Sequence, residues 1–205
     1  MLIEQPPLLY RMFFPKACWR IPKSGQKTVY LTFDDGPIPE VTPWVLDLLD
    51  RHQIKATFFC VGDNVRRNAD VFHDLISRGH GVGNHTQNHL QGWKTCTWTF
   101  LKNTEMAEAD IHSRRFRPPH GHMRYPQALL LKAKGYKIVM WDVVPRDYSW
   151  RVSPEQVLEN VKKYTRDGSI IVFHDSLKAE KNLRYALPLA IEWLKEQGYR
   201  FELIP

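Results

Sequence analysis

Two rhythms of apolar and polar positions alternate along the chain. Short β-branched and aromatic runs read as buried strands, and between them apolar residues recur every three or four positions, as on a helix. Strands are expected at Thr28–Phe33, Ala56–Val61, Gly81–Asn84, Arg115–Arg117, Lys137–Asp142, Ser169–His174 and Tyr199–Leu203. A first helix starts where Thr42 caps Pro43, with Trp44, Val45, Leu48 and Leu49 as its apolar face. Others run through Val71–Ile76 to Gly79, over Trp98–Ile111, and over Pro126–Lys134 to Gly135. Ser153–Pro154–Glu155–Gln156 reads as a capping box, and a last helix over Tyr185–Gln197 stops at Gly198.

Strand–helix alternation without hairpin signals implies parallel strands joined by right-handed crossovers. The α/β fold is then a closed barrel or an open doubly wound sheet. No G-x-G-x-x-G and no G-x-x-x-x-G-K-[ST] occurs, which removes the usual nucleotide signatures. No linker or repeat divides the chain. One domain, residues 28–205, is expected, with residues 1–27 as an extension packed on it.

Composition narrows this picture. With 205 residues, 43% hydrophobic and 25% charged, the chain is globular in type. Its longest apolar runs fall far short of the roughly 20 residues that span a bilayer. Cys18, Cys60 and Cys96 are too few for a disulfide framework or a thiolate zinc site. The start does not read as a signal peptide, because Arg11 interrupts Leu8–Leu9–Tyr10. A cytoplasmic location is the default expectation, and an extracellular or periplasmic one follows if a leader has been removed. The net charge of +7 is uneven: residues 1–29 carry five Lys/Arg against one Glu, and residues 94–137 carry nine against three acidic residues. No nucleic-acid motif accompanies this charge, so no nucleic-acid partner is expected.

Five segments end expected strands with reactive side chains, where α/β folds place their sites. They are Thr32–Phe33–Asp34–Asp35–Gly36–Pro37, Gly83–Asn84–His85–Thr86–Gln87–Asn88–His89, Phe116–Arg117–Pro118–Pro119–His120–Gly121, Trp141–Asp142–Val143–Val144–Pro145–Arg146–Asp147–Tyr148 and Ile170–Ile171–Val172–Phe173–His174–Asp175. Each has a structural reading alone: an Asx turn, an ordinary Pro/Gly loop, a satisfied histidine. His85 and His89, at i and i+4 on one face of a helical turn, offer two imidazoles to one metal. With a carboxylate from another strand end they make a two-His-one-carboxylate site with open positions.

This ordered set resembles the polysaccharide deacetylases, carbohydrate esterase family four, from Thr28 to Asp175. The resemblance implies a distorted (β/α)7 barrel with its site at the C-terminal strand ends. It also implies a metal-dependent hydrolase that removes acetyl groups from an acetylated glycan, most often N-acetyl groups of an aminosugar polymer. By resemblance, Asp35, His85 and His89 bind one divalent metal, Zn²⁺ first and Co²⁺ or Ni²⁺ as alternatives. Asp34 is then the general base, Arg117 its partner, His174 the general acid and Asp147 the partner of His174. The backbone N–H of His120 faces the oxyanion, and Tyr148 and Val172 line the acetyl-methyl pocket.

The chain departs from the family pattern where His120 replaces a usual Tyr and Tyr148 a usual Trp. His120 and His122 could instead take a second metal or an anionic sugar. An O-acetyl sugar esterase and a hydrolase of small cyclic amides or ureides are alternatives on the same barrel. A basic protein binding an anionic polymer or a membrane surface through residues 1–29 is the alternative from another class. A monomer is expected.

Overall fold

A computed structural model describes residues 4–205; Met1–Ile3 of the extension lie outside them. Seven strands form one sheet: β1 Thr28–Asp34, β2 Thr57–Cys60, β3 Gly81–Asn84, β4 Arg115–Phe116, β5 Lys137–Ile138, β6 Ser169–His174 and β7 Arg200–Phe201. Their order is β5-β4-β3-β2-β1-β6, with β7 against the start of β1, and all pairs are parallel. The helices are α1 Leu8–Phe13, α2 Thr42–Arg51, α3 Gly62–Arg67, α4 Ala69–Ser77, α5 Thr97–Ile111, α6 Tyr125–Ala133, α7 Pro154–Tyr164 and α8 Glu180–Glu196. None is long and apolar enough to cross a membrane.

The sheet curls, and the N-terminal segment spans the gap between β5 and β6. Cys18 bridges Val139, Arg20 bridges Ser169, and Val143 bridges Ile171. Gly168 lies in this seam at φ +75°, and a Cβ there would sit 2.3 Å from the Pro22 nitrogen. Only glycine lets the two backbones approach so closely.

The two-residue period of the strands sorts their side chains. Leu31, Phe33, Phe58, Ile171 and Phe173 face outward into the core shared with the helices, where Phe33 stacks on Phe58 at 4.8 Å. Tyr30, Phe59, Val139, Ile170 and Ile204 fill the barrel interior. Beyond them the inward positions turn polar. Thr32 and Asp34 follow Tyr30 on β1, while Val172 and His174 follow Ile170 on β6. Register pairs Asp34 with His174 and Asn84 with Phe116, so His85 and Arg117 leave their strands at the same level. The (β/α)7 expectation holds, and strand register assembles the site.

Local departures have local causes. Thr42 is the first residue of α2 rather than its cap, because its hydroxyl accepts from Ile38 N–H at 2.8 Å and donates to buried Asp175 at 2.6 Å. The capping box of α7 is half made: Ser153 accepts from Gln156 N–H, but the Gln156 side chain bonds Asn160. The expected strand Lys137–Asp142 pairs as β5 only to Ile138, and its remainder crosses toward β6. Helix α8 begins at Glu180, before Tyr185, and continues through Pro188.

Gly168→Ala is expected to destabilise the protein by at least about 1–2 kcal/mol, the cost of a left-handed L-residue before the clash with Pro22 is added. A urea melt with an unchanged midpoint would show that the seam is not closed in this way.

Candidate active site

Strand β1 ends in two carboxylates that diverge. Asp34 closes the extended run, and Asp35 has φ +85°, a left-handed conformation that Asp tolerates better than most residues. Asp34 therefore points into the barrel, while Asp35 points toward the loop after β3. Gly36 follows against Asp175, whose carboxylate accepts the Gly36 N–H at 3.1 Å; a Cβ on Gly36 would lie 1.9 Å from that carboxylate. Asn64 donates to the Asp35 carbonyl at 2.7 Å and fixes the same turn.

His85 and His89 come together, but not on a helix. Thr86 and His89 have φ +67° and +54°, which no right-handed helical turn accommodates. Asn84 accepts from Thr86 N–H at 2.8 Å, and Asn103 on α5 accepts from Gln87 N–H at 2.9 Å, so side chains shape this loop. The imidazoles lie 5.1 Å apart, centroid to centroid. Asp35 Oδ1 is 3.2 Å from His89 Nε2 and 3.8 Å from His85 Nε2.

The donor set suits a divalent cation. One ligand atom each from Asp35, His85 and His89 lie within 4.8 Å of one another. His85 Nδ1 donates to the Arg117 carbonyl at 2.8 Å, which leaves the Nε2 lone pair facing Asp35. Burial lowers His85 to about 4, so the ring is neutral near pH 7. Burial acts to raise Asp35, but the hydrogen bond with His89 and the charge of His174 hold it well below the usual carboxylate range. A carboxylate and two imidazole nitrogens are ligands that zinc takes, with positions left open.

Arg117 lies behind Asp34 and is fully buried. Its Nη1 donates to Asp34 Oδ1 at 2.6 Å and to Thr32 Oγ1 at 2.8 Å, and its Nη2 donates to the Met140 carbonyl at 3.0 Å. The guanidinium carbon sits 4.0 Å from the Phe59 ring centroid. Asp34 Oδ2 stays free, 4.0 Å from His85 Nε2. On β6, His174 Nδ1 meets Asp147 Oδ1 at 2.9 Å, and Asp147 Oδ2 accepts the His174 backbone N–H at 2.7 Å. Burial alone would lower His174. The charge and hydrogen bond of Asp147, with Asp35 and Asp34 beyond, overcome it and raise His174 to about 9.

Asp34, Asp35, His85, His89, His120, Tyr148, Val172 and His174 line one cavity of about 730 Å³, with Arg117 and Asp147 behind its wall. The Tyr148 ring stands edge-on to His174 at 4.8 Å, and the His120 ring lies 4.8 Å from His89. His120 and His122 are 6.1 Å apart, and among the described residues no third ligand joins them. Sequence reasoning passed over Thr32, Asn103 and Asn64. They are single polar residues within apolar or helical patterns, and that interruption was the one available signal. It also kept the extension apart from the site, whereas Leu9, Tyr10 and Phe13 line this cavity.

A family model described as polysaccharide deacetylase matches residues 22–139. The chain belongs to the polysaccharide deacetylase family. It is 34% identical over 197 residues to a peptidoglycan-N-acetylglucosamine deacetylase of Bacillus cereus, covering 89% of this chain and 88% of that protein. It is 35% identical to a chitooligosaccharide deacetylase of a Bradyrhizobium species, covering 74% and 72% of the two chains. The crystal structure of a peptidoglycan N-acetylglucosamine deacetylase, in complex with a naphthalenyl-substituted N-hydroxybenzamide, superposes with a TM-score of 0.81 at 30% identity, covering 93% and 91%. A pseudoenzyme of the same family from Bacillus anthracis superposes at 0.77 with 28% identity, covering 91% of this chain and 66% of that one. The family and the deacetylase class expected from the five motifs are thus borne out.

Arg117→Ala is expected to cost about 3–5 kcal/mol, because it strands the Asp34 carboxylate in the barrel interior. Arg117→Lys should recover only part of this, since an ammonium cannot serve Asp34, Thr32 and Met140 from one plane. A loss below 1 kcal/mol in chemical denaturation of Arg117→Ala would contradict the assignment.

Proposed function

We propose that this protein hydrolyses N-acetyl groups on an aminosugar glycan, peptidoglycan- or chitin-like, with Asp35, His85 and His89 holding a divalent cation. The observation that carries this reading is one cavity containing two differently tuned devices beside those ligands. Asp34 has one oxygen held by Arg117 and the other free, and His174 is held cationic by Asp147. Proton acceptor and proton donor thus coexist near pH 7. The named relatives act on peptidoglycan N-acetylglucosamine and on chitooligosaccharides, which supports the substrate class.

A bound cation, zinc for this donor set with cobalt or nickel as alternatives, supplies an acidified water and polarises the acetyl carbonyl. The protein's own groups do the rest. Arg117 pairs with Asp34 Oδ1 and leaves Oδ2 turned toward the ligands. Water oxygen bonds to the acetyl carbon and yields one proton to Asp34 Oδ2. The C–N bond breaks as His174 Nε2 delivers its proton to the leaving nitrogen. Acetic acid and the free amine depart, and the proton on Asp34 returns to His174 through solvent. His120, on the cavity wall at φ +57°, offers its backbone N–H to the developing oxyanion. Tyr148 and Val172 enclose the acetyl methyl.

Asp34→Asn is expected to retain stoichiometric metal while losing about 10²–10⁴-fold in acetate release from N-acetylglucosamine oligomers. Activity within tenfold of wild type would remove Asp34 from the base role. The pH profile tests the acid. His174 is raised, so its protonated form persists near neutrality and is lost as pH rises through about 9. Hence kcat/KM should fall on the alkaline side there, and Asp147→Asn should move that limb to lower pH. An unmoved limb would contradict the pairing.

A further inference from the structure

The N-terminal segment is fastened to the two loops that carry the site. Arg11 Nη2 reaches fully buried Asp142 at 2.6 Å. The Tyr10 hydroxyl donates to the Gly121 carbonyl at 2.7 Å, next to His120. The Glu4 carbonyl accepts Val144 N–H, and the Glu4 carboxylate pairs with Arg146, each at 2.8 Å, just before Asp147. Helix α1 thereby becomes part of the cavity's lining, continuous with Asp35 and His174.

What it presents there is apolar and uncovered. Leu9 is 69% exposed and Phe13 63%. Trp93, on the same cavity and 49% exposed, is held flat by a face-to-face stack on His122 at 3.9 Å and 6°, and its indole N–H donates to the Met123 carbonyl at 3.0 Å. A fixed, half-exposed indole and two open apolar side chains in a cleft far larger than an acetyl group need an occupant with an apolar face of its own. Pyranose rings with equatorial substituents have one, made of their axial C–H groups.

We propose that Leu9, Phe13 and Trp93 form a glycan subsite that binds the C–H face of a sugar adjoining the residue to be deacetylated. These are specificity-determining wall residues, and the proposal rests on the deacetylase reading above. The same helix does not suit an anionic lipid surface. It is six residues long, and its one cation, Arg11, is committed to Asp142.

The test is calorimetric binding of N-acetylglucosamine oligomers to Asp34→Asn, with Phe13→Ala and Trp93→Ala added singly. Each is expected to weaken binding about tenfold, as loss of roughly 50 Å² of apolar contact would, with an unchanged melting temperature. In the active protein, the same substitutions should raise KM rather than lower kcat. Unchanged oligomer affinity, or loss confined to kcat, overturns the proposal. So does loss of binding to anionic vesicles with glycan affinity intact, which would assign α1 to a membrane. Binding needs no turnover, so the two readings fail separately. If wild type releases no acetate, the deacetylase reading falls, and the affinities still decide the wall.

Discussion

Arg117 carries a charge where water cannot reach it, in the interior of a barrel otherwise filled by Tyr30, Phe59 and Ile170. Desolvating such an ion costs several kcal/mol, and only a nearly complete set of partners offsets that. The set is drawn from across the fold: Asp34 and Thr32 from β1, the carbonyls of Val139 and Met140 beyond β5, and the Phe59 ring from β2. If any of these strands slipped by one residue, the inward position would exchange with the outward one and the guanidinium would lose its partners. The ion pair is therefore a register lock as well as the support of the proposed base. The Arg117 backbone carbonyl also fixes the tautomer of His85, so one residue orients both Asp34 and His85.

The remainder of the site follows from how β1 ends. A strand places neighbouring side chains on opposite faces, and the left-handed turn at Asp35 diverts the second carboxylate toward the β3 loop. Asp34 and Asp35 thus serve different tasks although adjacent in sequence. His174 sits beside Asp34 across β6, and its charge is set by Asp147 from a loop. The side chains proposed as acid, base and metal ligands come from the ends of β1, β3 and β6, and register brings them together.

Much of this was legible in the sequence because Asp34 and His174 directly follow apolar runs, which predict strands well, while His85 and Arg117 end shorter segments that alternate in the same way. All four therefore stand at expected strand ends. The His85–His89 spacing pointed to a pair that the structure does bring together, although the turn between them is not helical. Less visible were interactions whose partners lie far away in the chain. Thr42 looked like a cap until Asp175 was placed beside it. Helix α1 has no periodic signal at six residues, and its anchors at Gly121 and Asp142 lie more than a hundred positions away, as does the Val144 that Glu4 holds. The extension is therefore expected only to pack on the domain, whereas its residues span the seam of the barrel and line the cavity.

The central claim is that Asp35, His85 and His89 hold one cation on which hydrolysis depends. It is tested most directly by stripping the purified protein with a chelator and titrating Zn²⁺ back while following acetate release from N-acetylglucosamine oligomers. The account predicts silence after stripping and full recovery at one equivalent, with no recovery in His85→Ala or His89→Ala. Undiminished release from the stripped protein, or recovery in those variants at one equivalent, would contradict it.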